Sequence, residues 1–211
     1  VEKTPTHCFF IPLILHLIPE AYILDIVRDP RGVVASWKAL AETPAGRWAR
    51  RGTIDLSREW VKTVRMTGEA AGLTERFLRV RYESLHQNGP SAIAGVFAWL
   101  GLQVDSVACQ AHVAACRIER LRAGHLKGPL GGGLTAEERA NHFRRGEVEG
   151  WRQDLTRGEI ARIEHVAGAT MATLGYALEG PSIPVWPSLA LHWVAERLER
   201  GAASAALRLK L

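Results

Sequence analysis

The amino-acid sequence predicts an α/β fold, a parallel sheet flanked by helices. Residues 21–27, AYILDIV, form a near-continuous apolar run, the pattern of a parallel strand covered on both faces. A second strand begins at Arg76 (RFLRVRYESL), marked by its alternation. Helical patterns separate and follow these runs, and strands alternating with helices argue for a parallel sheet. The chain has 211 residues, 47% hydrophobic and 23% charged, enough for one domain with a sizeable core. That domain is assigned to residues 1–180. Pro181, Pro184 and Pro187 mark a linker, and an amphipathic tail helix completes residues 181–211.

The elements follow in order. Residues 9–17 read as a helix or an apolar turn ending near Pro19. After the first strand, Asp29 is a good N-cap, and Pro30 at the first helical position loses no needed hydrogen bond. Residues 45–57 are polar and arginine-rich, a loop or short helices. From Leu56 an amphipathic helix carries Trp60, Val64 and Thr67 along one side. Pro90 starts a helix that Gly101 stops. Residues 105–122 read as one further helix, and residues 127–143 as a glycine-rich loop. Thr156, with Glu159 three positions on, forms a capping box for the helix that closes the core.

Charge and cysteine usage bound the function. The net charge of +5 favours an anionic ligand or surface partner. The arginines are dispersed through several motifs rather than clustered with aromatics, which argues against a nucleic-acid-binding module. The three cysteines, Cys8, Cys109 and Cys116, give no disulfide framework, so a reducing, cytoplasmic setting is expected. No apolar run reaches the roughly 20 residues of a membrane span, and Pro12, His16 and Pro19 break the opening apolar stretch.

Three segments carry candidate chemistry. In VRDPRGVVASW, Arg28 ends the strand and Ser36 lies seven residues past the cap, about two helical turns on. The end of a parallel strand is where ligands bind in open sheets, and the next helix adds amides and a positive dipole. One guanidinium and one hydroxyl can therefore converge on one anion, the alternative being a structural arginine on a loop and a serine in a small-residue packing face. EKTPTH supplies a carboxylate (Glu2), an amine (Lys3) and an imidazole (His7) within six residues, and histidine is suited to accept a proton near neutral pH. FRRGEVEGW holds Arg144 and Arg145 before Gly146, which lets the backbone approach a ligand closely. Cys109, His112 and Cys116 share one helix face, but three ligands without a fourth make a poor zinc site, so core packing is the expected role and no metal is expected.

The ordered set EKTPTH, VRDPRGVVASW, VRYESL, FRRGEVEGW and LGY resembles the sulfotransferases that use 3′-phosphoadenosine 5′-phosphosulfate (PAPS), most closely the bacterial members, over roughly residues 1–178. The resemblance implies a P-loop NTPase-like sulfotransferase fold and transfer of a sulfuryl group from PAPS to a hydroxyl or amine of a small-molecule, glycan or lipid acceptor, without a metal. It implies that Arg28 and Ser36 grip the donor's 3′-phosphate, that Arg144, Arg145 and Gly146 close on the same phosphate, and that Tyr82 lies near the adenine. Lys3 matches a lysine beside the transferring group, His7 the catalytic base, and Glu2 a back-up base. Residues 126–134 match a mobile segment over the acceptor pocket. The family's glycine-rich loop for the 5′-phosphosulfate has no counterpart here, so an N-terminally truncated member is expected. A non-catalytic nucleotide-binding remnant of the same fold is the alternative.

Overall fold

The structure, a computed structural model, describes residues 1–124, 135, 139 and 146–180. Arg144, Arg145, the segment 126–134 and the linker and tail of residues 181–211 lie outside the described residues.

A 3-10 turn at Pro5–Phe9 leads into α1 (Ile11–Leu17). Strand β1 (Ile23–Val27) follows and passes directly into α2 (Pro30–Ala41). Asp29 caps α2 as the sequence predicts, its carboxylate accepting from the Arg31 amide at 2.8 Å. The polar segment after α2 holds a second 3-10 turn, Pro44–Ala49. The long helix α3 (Thr53–Ala70) begins before Leu56 and buries Trp60, Val64 and Thr67. It delivers the chain to β2 (Phe77–Arg81). The two strands pair in parallel, with Ile23 beside Phe77 and Val27 beside Arg81. The strand–helix–strand connection through α2 and α3 is the βαβ arrangement that parallel pairing requires.

The second half is helical: α4 (Tyr82–Gln87), α5 (Gly89–Trp99), α6 (Ser106–Ala115) and α7 (Ile118–Arg122). Residues 105–122 thus form two helices rather than one. Arg117 takes an extended conformation (φ −61°, ψ 141°) between them, so α7 turns away from the axis of α6. A single turn α8 (Trp151–Asp154) precedes α9 (Arg157–Thr173), whose capping box is fully formed.

Two apolar clusters hold these elements together. Val34 and Ala35 of α2 meet Leu56, Trp151, Ile160 and Ile163. Val27 at the end of β1 meets Trp60, Val64, Ala167, Met171 and Tyr176. Both clusters use α2 or β1 against α3 and α9, so the junction of β1 with α2 is set from behind by packed side chains. The opposite face of β1 differs from the sequence expectation. Leu24 and Ile26 are 42% and 53% exposed, because among the described residues no element packs over that face, which lines a cavity instead.

Candidate functional site

The cavity, of about 1140 Å³, opens where β1 ends. Leu24 and Ile26 of β1, Val80 of β2, and Ile93, Phe97 and Val113 from α5 and α6 make an apolar wall. Arg28, Tyr82 and His86 make a polar corner beside the Glu147 carbonyl, and Ser36, Gly146 and the charged Arg117, Glu119 and Asp154 also line the cavity. Four residues predicted to bind the donor, Arg28, Ser36, Tyr82 and Gly146, therefore line one space, though they lie up to 118 positions apart in the sequence.

Arg28 is the centre of the corner. Its guanidinium lies over the Tyr82 ring at 4.5 Å, a geometry in which a cation gains from the ring quadrupole. Its Nη2 donates to the Glu147 carbonyl at 3.3 Å. Its Nε is buried and has no hydrogen-bond partner among the described residues. A buried donor left unpaired carries an energetic cost that a bound acceptor relieves. Gly32, one turn into α2, makes room for this side chain, since a Cβ there would stand 2.9 Å from Arg28 Nε.

Tyr82 and His86, one turn apart on α4, pack with ring centroids 4.5 Å apart and planes tilted by 51°. Burial, opposed by the Arg28 charge, raises the Tyr82 phenol above its usual range. Partial desolvation and the Arg28 charge together hold the His86 imidazole below its ordinary value. Gly146 has φ +69°, a conformation that glycine adopts without penalty. Its backbone freedom shapes the turn toward the cavity.

Behind the corner lies a buried charge network. Arg31 forks onto the Asp29 carboxylate, with Nη2–Oδ2 at 2.6 Å, and reaches Glu164 of α9 at 2.8 Å. The Arg31 guanidinium also stacks on Trp151 at 4.2 Å. Asp29 thereby occupies the Arg31 amide at the start of α2. The helix N-terminus is partly self-capped, so fewer of its backbone amides are open to an anion than the sequence suggests.

Glu2, Lys3 and His7 are not among the cavity-lining residues. Glu2 accepts from the Thr4 hydroxyl at 2.6 Å. Glu2 and Lys3 are exposed, and His7 is half-buried in the 3-10 turn. Phe9 of that turn lies under the Lys62 ammonium of α3 at 5.1 Å. Of the residues predicted to hold the phosphate, Arg28, Ser36 and Gly146 line the cavity, Arg144 and Arg145 lie outside the described residues, and none of the predicted acid–base residues lines it. Among the described residues no group of three or more His, Cys, Asp or Glu side chains is placed to hold a metal ion. Cys109 is buried, Cys116 exposed, and neither is in a disulfide. No described helix is long and apolar enough to cross a membrane.

Sequence reasoning missed Gly32, Glu83, His86 and Trp60. Trp60 Nε1 donates to the Arg28 carbonyl at 3.0 Å, and Glu83 accepts from the Asp29 amide at 2.9 Å. The adjacency of Glu83 to Tyr82 was the only signal available.

Comparison with known proteins bears on this geometry. A sequence profile described as the sulfotransferase family matches residues 1–106, half of the chain. No curated protein matches in sequence. Among solved structures, mouse sulfotransferase SULT7A1 complexed with PAP is similar in fold, with a TM-score of 0.59, 16% identity, and coverage of 76% of this chain and 61% of that one. Retinol dehydratase in complex with androsterone and inactive cofactor PAP is similar with a TM-score of 0.55, 15% identity, and coverage of 80% of this chain and 52% of that one. At these identities the likeness is one of fold, and the chain spans about half to three fifths of the length of those two proteins. With its parallel β1–β2 pair, its arginine at the end of the first strand and the profile match over its first half, the chain belongs to the sulfotransferase family.

Proposed function

We propose that the cavity binds the adenine nucleotide of PAPS and that the protein acts in sulfuryl transfer to a hydroxyl or amine of a small-molecule, glycan or lipid acceptor. The observation that carries the reading is the convergence of Arg28, Ser36, Tyr82 and Gly146 on one cavity, with a buried Arg28 donor left unpaired. In this reading Arg28 and Ser36 hold the 3′-phosphate. Tyr82 flanks the adenine, and Arg144 and Arg145 add charge to the same phosphate from the segment before Gly146. The free cysteines suit a reducing compartment, and the reaction is assigned to the cytoplasm.

The transfer follows the logic of phosphoryl transfer, an in-line displacement in which fixed donors stabilise charge and the protein does little covalent work. The acceptor oxygen or nitrogen attacks sulfur, and its proton passes to His7, with Glu2 as the second candidate. The bond from sulfur to the bridging oxygen breaks, and adenosine 3′,5′-bisphosphate leaves. Lys3 offsets charge on that oxygen. Support for these three roles comes from the resemblance of EKTPTH alone.

Calorimetry with adenosine 3′,5′-bisphosphate tests the binding step. The native chain should bind, and Arg28→Ala should weaken binding by about tenfold or more, as expected for loss of a charge-assisted pair. Unchanged binding in that variant sinks the phosphate assignment. The position of Glu2, Lys3 and His7 outside the cavity lining favours a second reading, a nucleotide-binding protein of the same fold without turnover. Transfer of labelled sulfate from PAPS to a panel of phenols and amines separates the two. Turnover abolished by His7→Ala supports catalysis; nucleotide binding without turnover supports the second reading.

A further inference from the structure

Residues 27–29 are gripped by three side chains remote in sequence. The Trp60 indole of α3 donates to the Arg28 carbonyl at 3.0 Å. Glu83, 5% exposed in α4, accepts from the Asp29 amide at 2.9 Å through Oε1. Its other oxygen accepts from the Tyr176 hydroxyl at 2.9 Å, and that hydroxyl also lies 3.4 Å from the Val27 carbonyl. Tyr176 is itself 5% exposed. It follows Gly175, whose φ of +74° turns the chain back from α9. The Arg81 guanidinium covers the Tyr176 ring at 4.2 Å, and its Nε stands 3.7 Å from Glu83, compensating the buried carboxylate.

We propose that Glu83 and Tyr176 are positioning residues for anion recognition: together they fix the backbone on both sides of Arg28, so that its guanidinium is held over Tyr82 at the cavity corner. This rests on the nucleotide-binding reading above. Neither side chain lines the cavity, so their effect reaches the ligand through Arg28. The geometry explains two sequence features that nucleotide contacts alone leave idle, the glutamate of RYESL and the tyrosine of LGY. A main chain held by one carboxylate and one hydroxyl loses little on Tyr176→Phe in packing, since the ring and its Arg81 cover remain. What is lost is the tether.

The test is ligand discrimination. Affinities for adenosine 3′,5′-bisphosphate and adenosine 5′-monophosphate are measured by calorimetry for the native chain, Tyr176→Phe, Glu83→Gln and Arg28→Ala, with thermal melts of each. Glutamine removes the negative charge that strengthens both bonds, and only one of its two polar atoms can accept. Tyr176→Phe and Glu83→Gln are expected to lower the preference for the 3′-phosphorylated ligand by about three- to tenfold, the scale of one hydrogen bond, while affinity for the monophosphate stays within about twofold. If both variants keep the native preference while Arg28→Ala lowers it, the positioning proposal is overturned and the nucleotide reading stands. Equal weakening of both ligands also overturns it, because that is general loosening. If Arg28→Ala leaves the preference unchanged, the nucleotide reading itself fails. Should Glu83→Gln not fold, Tyr176→Phe alone decides.

Discussion

At Gly32 the absence of one methyl group decides where Arg28 lies. A Cβ would stand 2.9 Å from Arg28 Nε, closer than such atoms pack, and 3.3 Å from its Cζ, a tight contact. The backbone of Gly32 is ordinary helix, so alanine fits α2 and its helix propensity is better by about 1 kcal/mol. Gly32→Ala is therefore expected to melt no lower than the native chain and yet to bind adenosine 3′,5′-bisphosphate at least about fivefold more weakly, because the guanidinium must leave the Tyr82 face. Parallel melting and calorimetry check this, and undiminished affinity would refute the packing argument. Sequence reading reached Arg28 and Ser36 because a strand end followed by a capped helix places such residues by local rules alone. It did not reach Gly32, since the contact that requires glycine comes from a side chain folding back over the helix. Nor did it reach Glu83 or Tyr176, whose partners lie 54 and 93 or more residues away.

Helix α9 shows how much a local signal at an element's end can carry. Thr156 and Glu159 complete the capping box, with Thr156 Oγ1 accepting from the Glu159 amide and Glu159 accepting from the Thr156 amide at 2.9 Å. Lys38 of α2 also pairs with Glu159. Thr156→Ala is expected to cost about 1 kcal/mol and to lower Tm by about 2–4 °C, read by calorimetric melting. Burial alone would raise the Glu159 pKa, but the Lys38 ammonium and the Thr156 amide and hydroxyl outweigh it and hold the carboxyl below its usual range. The folded value lies below the unfolded one. The stabilisation is thus fully present above the unfolded pKa and is lost as pH falls through the folded value. Glu159→Gln should flatten that acid limb of a stability–pH curve; an unchanged limb would place the acid sensitivity elsewhere. Capping residues are legible because they act on their own backbone. The break between α6 and α7 was not legible, as neither proline nor glycine marks it and only the extended Arg117 backbone makes it. The open face of β1 was likewise hidden: Leu24 and Ile26 read as buried positions, and whether another element covers them is a tertiary fact.

Across the whole molecule, Arg31 ties the first strand–helix corner to the last core helix. Its side chain is 6% exposed, between Asp29 and Glu164, which are 8% and 7% exposed. Removing one member of such a set strands the others as buried charges. Arg31→Ala is expected to cost about 3–5 kcal/mol near neutral pH, measured by urea unfolding. A loss below about 1 kcal/mol would refute the view that the two buried carboxylates depend on this guanidinium. The corner's tethers also set a schedule for the cell. A ribosome adding about 5–20 residues per second makes Arg28 roughly 7–30 s before Tyr176, 148 positions later. Through that interval the corner has its strand and its cap, yet the hydroxyl that completes the Glu83 clasp has not been made. In the order of synthesis Arg28 thus waits for a hydroxyl made 148 residues later before its backbone is fully clasped.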